Sequence, residues 1–156
     1  DRALLEGIER KFKLAEELYA SMLGDMASLS LDELMHLLNE ATNFYPVHPN
    51  GHLVRTRLSA RARRYRELVE DAYSAMESRS WESALLSLQQ AGDINPGGTE
   101  VVGHATVISE FLDAKKRKKQ EIDAAFQAGE YPKAKALAAS LDRYVSAFER
   151  RMGTSH

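Results

Sequence analysis

Cysteine is absent from this sequence of 156 residues. Its absence excludes disulfide bonds, thiolate zinc sites and thiol catalysis, and it is typical of a reducing, cytoplasmic compartment. No apolar run approaches the roughly 18 residues of a membrane span, and the N-terminal segment lacks the pattern of a signal peptide. The sequence begins with Asp1 rather than methionine, which predicts that it is part of a longer protein.

Signatures of catalysis and of metal binding are also missing. Gly97-Gly98 follows a predicted helix and lacks the Gly-Lys-Ser/Thr ending of a phosphate-binding loop. His48 and His52 are four residues apart, but Pro49-Asn50-Gly51 between them predicts a turn, so no helix would hold both imidazoles on one face. No set of nucleophile, histidine and carboxylate can be placed. The sequence therefore predicts a protein that is not an enzyme and has no cofactor or metal site.

What the chain does contain is an internal repeat with a period of 50 residues. The segment beginning at Ser80-Trp81 aligns without a gap with the one beginning at Ser30-Leu31, and Pro96 then falls on Pro46. A third copy begins at Glu130-Tyr131. A fixed period indicates an array of equivalent structural units. We expect one helical-repeat domain, 1–156, made of the units 1–50, 51–100 and 101–156.

Each unit has a long helical segment followed by a shorter one. Apolar residues in the long segments recur at steps of three and four, which is the spacing of one helix face. In the first unit this stripe is Leu4, Ile8, Phe12, Ala15, Tyr19, Met22 and Met26. The predicted long helices are 2–28, 52–78 and 102–128, and the short ones are 31–44, 81–94 and 131–151. The expected fold class is all-α, with three stacked antiparallel helical hairpins in an α-α superhelix.

Capping and helix-breaking residues mark the ends of these helices. Ser30 and Glu33 have the spacing of a capping box, and Pro132 suits the first turn of a helix. Prolines and glycines in 46–51 and 95–98 predict turns between units. The last helix continues its apolar face beyond the length of its counterparts. We expect this face either to cover the array as a terminal cap or to be buried by a part of the protein outside this sequence.

The short helices carry the residues that suggest a family. Trp81, Ala84, Leu88, Ala91 and Pro96 mark the second unit, and the third has Gly129, Tyr131, Ala134 and Ala138. This pattern resembles the second half of a tetratricopeptide repeat, roughly G-x-Y-x-x-A…A…P. The family repeats every ~34 residues, whereas this chain repeats every 50 and lacks the W-x-x-L-G-x-x-Y signature of the first helix. The resemblance implies a scaffold that binds peptide or protein segments in a groove.

Charge is distributed unevenly although the net charge is only −2. Residues 1–50 contain four Lys or Arg and nine Asp or Glu, whereas residues 107–156 contain ten and seven. Five consecutive basic residues, 115–119, interrupt the apolar stripe of the third long helix. This run is compatible with a solvated overhang, with a docking patch for an acidic protein segment, or with nucleic-acid or anionic-lipid binding. The opposite charges of the first and third units also suggest head-to-tail association of copies.

These features predict a non-catalytic protein–protein interaction module that docks a partner segment on the face of its first helices. The expected partner is a protein or peptide segment, with an acidic one favoured by the basic run. One alternative is a structural spacer or oligomerisation segment of a multidomain protein. A less favoured alternative is a nucleic-acid or anionic-surface binder, because no aromatic residue lies within the basic run to stack on a base. The candidate partner-binding residues are Arg61, Arg64, Tyr65, Lys115, Arg117 and Lys118.

Overall fold

A computed structural model describes residues 1–153. These residues form six α-helices and no strand. The helices are α1 (Arg2–Asp25), α2 (Leu31–Phe44), α3 (Pro49–Glu77), α4 (Trp81–Ile94), α5 (Thr99–Gln127) and α6 (Tyr131–Gly153). Each long helix is followed by a short connection and a partner helix, and α1 packs on α2 as α5 packs on α6. The predicted all-α array of helical hairpins is confirmed.

The starts of α3 and α5 differ from the prediction by three residues. The turn expected at Pro49-Asn50-Gly51 is wrong, because these residues form the first turn of α3. A proline costs little in that position, since its missing N–H would have had no partner within the helix. The side chain of His48 helps to cap the helix, because its Nδ1 accepts a hydrogen bond from the backbone N–H of Asn50 at 3.1 Å.

Local capping explains the turns inside the hairpins. Ser30 Oγ accepts from the backbone N–H of Glu33 at 3.1 Å, and the Glu33 carboxylate accepts from the backbone N–H of Ser30 at 3.3 Å, so the predicted capping box is confirmed. Gly129 ends α5 with a φ of 77°, and the N–H of Glu130 then donates to the carbonyl of Ala125 at 2.9 Å. A left-handed residue with this bond closes the helix end.

Contacts divide the chain into two compact units. The N-terminal unit contains residues 1–68 and 90–98, and the C-terminal unit contains residues 69–89 and those from Thr99 onward. Both α3 and α4 contribute one part to each unit. A division by contacts differs from a division by sequence repeat, so the single domain of three 50-residue units remains a prediction.

The core of the N-terminal unit joins α1, α2 and the beginning of α3. Gly51 allows α3 to approach α1 closely, because a Cβ atom there would lie 3.0 Å from the Tyr19 ring. The predicted stripe on α1 is buried only in its second half, since Leu4 and Ile8 are exposed. The buried core residues are Ala15, Tyr19, Met22, Leu34, Leu38, Ala41, Val54 and Leu58.

An aromatic cluster forms the core of the C-terminal unit. The rings of Phe111 and Phe148 are stacked with centroids 3.8 Å apart, and Tyr144 lies 5.7 Å from Phe111. Trp81 is buried, and its ring centroid is 4.9 Å from that of Phe148 and 6.2 Å from that of Phe111. The first residue of α4 is therefore held by both α5 and α6. The apolar face of α6, with Leu141, Phe148 and Met152, is buried within this unit, as the terminal-cap expectation required.

Candidate functional site

The six residues predicted to bind a partner fall into two groups. Arg61, Arg64 and Tyr65 belong to the N-terminal unit, and Lys115, Arg117 and Lys118 belong to the C-terminal unit. All six lie on first helices of hairpins, α3 and α5, as predicted. The surroundings of the two groups differ greatly.

Arg61 has an intramolecular role in the N-terminal unit. Its guanidinium donates to three backbone carbonyls, those of Met26, Leu29 and Ile94. The Nη2 to Leu29 oxygen distance is 2.7 Å, and the Nε to Ile94 oxygen distance is 2.6 Å. Burial lowers the pKa of the Arg61 guanidinium, although arginine remains charged at neutral pH. Arg61 thus connects the end of α1, the α1–α2 turn and the end of α4, and its donors are directed into the protein.

Arg64 and Tyr65 are the next two residues along α3. The side chain of Arg64 is exposed, and its Nη1 lies 3.7 Å from the carboxylate of Glu67 one turn later. Such an exposed pair restricts the arginine very little. Tyr65 is half-buried, and its hydroxyl is so near Gly98 that a Cβ there would lie 3.2 Å from it. Arg64 is therefore available to a partner, whereas Tyr65 packs beside the turn that follows α4.

The basic run 115–119 lies on α5 in the C-terminal unit. Lys116, Arg117 and Lys119 are exposed, while Lys115 and Lys118 are half-buried. The ammonium of Lys118 lies 5.1 Å from the centre of the Tyr144 ring, so the run lies beside α6 rather than beyond its end. Within residues 1–153, none of the five cations forms a salt bridge. The result is a concentrated positive surface on one helix.

His48 has a packing role in the N-terminal unit. His48 is buried, with its ring centroid 5.2 Å from that of Tyr19 and 5.4 Å from that of Phe12. Its Nε2 is 3.5 Å from the carboxylate of Glu16. The described residues contain no group of three or more metal-ligating side chains placed to hold an ion. The capping and packing role of His48 was not predicted from the sequence. The sequence signal for it was the position of His48 immediately before Pro49.

A second surface, unforeseen from the sequence, lies at the α5–α6 turn. Phe126 and Tyr131 are both exposed, and their rings meet edge to face at 5.4 Å. Beside them is a shallow cavity of about 310 Å³. Its walls combine small apolar side chains with a few charges: Ala124, Ala125, Ala128, Leu137, Glu121, Glu130 and Lys133. Two exposed aromatic rings beside an alanine-lined depression are typical of a contact surface for another protein.

Across residues 1–153, no helix combines the length and the apolar composition needed to cross a membrane. Comparison with protein-family models, with curated proteins and with solved structures finds no match for this chain.

Proposed function

We propose that this chain is a non-catalytic protein-interaction module, a tetratricopeptide-like scaffold of a reducing, cytoplasmic compartment, and that it docks an acidic segment of a partner protein on α5. The observation that supports this is the concentration of five cations at 115–119 without a carboxylate partner among the described residues. Arg117 and Lys116, both exposed, are the principal contacts.

The basic run contains pairs of like charges that repel one another within the chain itself. Like charges three or four residues apart on a helix destabilise it by about 0.2–0.5 kcal/mol per pair. Lys115 repels Lys118 and Lys119 at these spacings, and Lys116 repels Lys119. An acidic segment lying along α5 would relieve this repulsion. The ring of Tyr144 holds the Lys118 ammonium to one side, so Lys118 contributes its alkyl chain to the surface more than its charge.

The chemistry of the surface specifies the partner. Arg117 offers the planar fork that binds a carboxylate through two hydrogen bonds, and Lys116 supplies a second cation next to it. A partner helix with Asp or Glu at i, i+3 and i+4 would present carboxylates along α5 in register. Arg64 is exposed on α3 of the N-terminal unit and is not part of the α5 surface. Arg61 is not included, since its guanidinium is engaged with backbone carbonyls.

The proposal is tested by fluorescence anisotropy with a labelled amphipathic peptide that carries Glu at i, i+3 and i+4. We expect Lys116→Glu/Arg117→Glu to weaken binding at least tenfold. The matched control is Arg63→Glu/Arg66→Glu, which makes the same change in charge at two exposed positions of α3 in the other unit. Equal weakening by both double variants would show that the peptide responds only to net charge, which would contradict docking on α5.

Other probes distinguish the alternative functions. A duplex oligonucleotide that binds the chain more tightly than the acidic peptide does, with affinity falling steeply as salt rises, would favour the nucleic-acid reading. Vesicles with anionic headgroups test the anionic-surface reading in the same way. Absence of binding to all three probes would contradict the docking function and favour a structural spacer.

A further inference from the structure

Exposed apolar residues on α1 occupy repeat positions that are buried elsewhere in the chain. Leu4 is 66% exposed, whereas Val54, fifty residues later, is fully buried. Ile8 is 54% exposed, whereas Leu58 and Ile108 at the same repeat position are 4% and 0% exposed. The first half of α1 thus has the side chains of a packing surface, but it lacks the neighbour that covers their counterparts Val54 and Leu58 in the second hairpin.

At the α5–α6 turn, exposed residues likewise occupy repeat positions that are buried in the second hairpin. Phe126 is 53% exposed, whereas Met76 at its repeat position is 2% exposed. Tyr131 is 63% exposed, whereas Trp81 at its repeat position is 5% exposed. The third hairpin therefore presents a surface whose counterpart in the second hairpin is buried.

The N-terminal unit shows how two such surfaces fit together. Val54 and Leu58 at the start of α3 pack into the core formed by the first hairpin, which includes Met22. One turn further, Arg61 donates to the carbonyls of Met26 and Leu29 at the end of that hairpin's first helix and in its turn. We take this contact as the template for the association of two hairpins. The first helix of one hairpin supplies two apolar residues followed by a cation, and the preceding hairpin supplies apolar residues and the carbonyls of its turn.

The template transfers to the exposed residues when its first-helix side is moved back by one repeat and its hairpin side is moved forward by two. The first-helix side becomes Leu4, Ile8 and Lys11, in place of Val54, Leu58 and Arg61. The hairpin side becomes Ile122 and Phe126, followed by Tyr131, in place of Met22, Met26 and Leu31. Every replacement keeps the chemical type, because apolar stays apolar and Lys11 retains the positive charge that suits the carbonyls at a helix C-terminus.

We propose that these two surfaces bind each other in different copies of the chain. The α1 surface (Leu4, Ile8 and Lys11) of one copy packs on the turn surface (Ile122, Phe126 and Tyr131) of the next. The partner is a second copy because the repeat supplies both halves of the same contact within one sequence. Since the two surfaces are different, the association is heterologous and continues head to tail into chains or a ring.

A charge substitution in the template supports this pairing. In the N-terminal unit Gly51 lies against the Tyr19 ring. The counterpart of Tyr19 in the third hairpin is Lys119, and the counterpart of Gly51 in the first is Asp1. A lysine in place of Tyr19 would be unfavourable if it were buried against a glycine. Opposite Asp1 of the next copy, however, Lys119 forms an ion pair. The acidic excess of residues 1–50 and the basic excess of residues 107–156 act in the same direction.

The test uses sedimentation velocity between about 10 μM and about 1 mM, the range in which small, transient interfaces associate. We expect the unaltered chain to form larger species as its concentration rises, and added salt to weaken them. Ile8→Glu and Tyr131→Glu each remove one surface, so each variant alone is expected to stay monomeric. Leu86→Glu, at a 57% exposed position of α4 outside both surfaces, is the control and is expected to associate like the unaltered chain.

A mixture of the two monomeric variants gives the decisive result. Ile8→Glu retains the turn surface and Tyr131→Glu retains the α1 surface, so together they are expected to form a dimer that cannot grow further. Leu4→Glu and Phe126→Glu provide an equivalent pair if circular dichroism shows that a first-choice variant has not folded. A monomeric unaltered chain at about 1 mM, or variants that fail to combine, would overturn the proposal. Docking on α5 is tested separately by the Lys116→Glu/Arg117→Glu variant, because these two residues lie outside the copy–copy contact, in which Lys119 is the one member of the basic run.

Discussion

Arg61 offers the sharpest test of the tertiary structure. Arg61→Met keeps most of the length and apolar stem of the side chain, but it removes every donor. The carbonyls of Met26, Leu29 and Ile94 then lose the guanidinium that joins them. The same change removes Arg61 from any partner surface, so folding and binding measured on one variant separate its structural role from the partner-binding role predicted from the sequence.

The expected loss follows from these contacts. A hydrogen bond to a charged group contributes about 1.5–3 kcal/mol, and three carbonyl acceptors are involved here. Arg61 is half-buried, so water can reach part of this site in the variant and replace part of each interaction. We therefore expect Arg61→Met to lower the free energy of unfolding by about 2–4 kcal/mol. Arg61→Lys should lose nearly as much, because one ammonium cannot reach three carbonyls in separate segments.

Urea unfolding followed by circular dichroism at constant protein concentration provides the measurement. Arg64→Met is the matched control on the same helix, since its exposed pair with Glu67 at 3.7 Å is worth at most about 0.5 kcal/mol. A loss smaller than about 1 kcal/mol for Arg61→Met would refute the reasoning, because it would mean that water satisfies these carbonyls as well as the guanidinium does.

Three further predictions concern the helices and their packing. Trp81→Ala is expected to lower the free energy of unfolding by about 3–5 kcal/mol in urea titrations, while Leu86→Ala, which is exposed, should change it by less than about 1 kcal/mol; equal effects would contradict the aromatic core. Ser30→Ala removes the capping box of α2 and should lower the free energy of unfolding by about 1 kcal/mol. An unchanged free energy of unfolding would mean that the cap does not stabilise the protein. Gly129→Ala should lower the free energy of unfolding by about 1 kcal/mol, because the φ of 77° at Gly129 disfavours a side chain. Gly103→Ala inside α5, with open space around the new Cβ, should raise it by about 0.5–1 kcal/mol. A change of the same sign in both variants would contradict these backbone assignments.

Helix identity and most helix boundaries follow from local properties of the sequence. The three- and four-residue spacing of apolar residues predicted the long helices, and capping and helix-breaking residues predicted the short ones, of which α2 and α4 have the predicted bounds. The boundary at Pro49 was wrong because a proline can either end one helix or begin the next. The choice depends on the neighbouring His48, whose buried ring accepts a hydrogen bond from the first turn of α3.

The candidate site was predictable only in part. The basic run and the exposed state of Arg117 follow from five adjacent charges that cannot all be buried. The role of Arg61 was not predictable, because its acceptors are backbone carbonyls 32 to 35 residues away, and backbone groups leave no signature in side-chain spacing. The position of Lys118 over Tyr144 likewise depends on which face of α6 packs on α5.

The sequence by itself determined the helical array, its 50-residue period and its charge distribution, because periodicity, capping and composition act locally or along one helix. Only the tertiary structure decided which copies of a repeated position are covered. Trp81 and Tyr131 occupy equivalent positions in the repeat, yet one is buried against Phe148 and the other is exposed. The reason is physical: burial depends on the neighbour that a helix packs against, and a repeat unit on its own does not contain that neighbour.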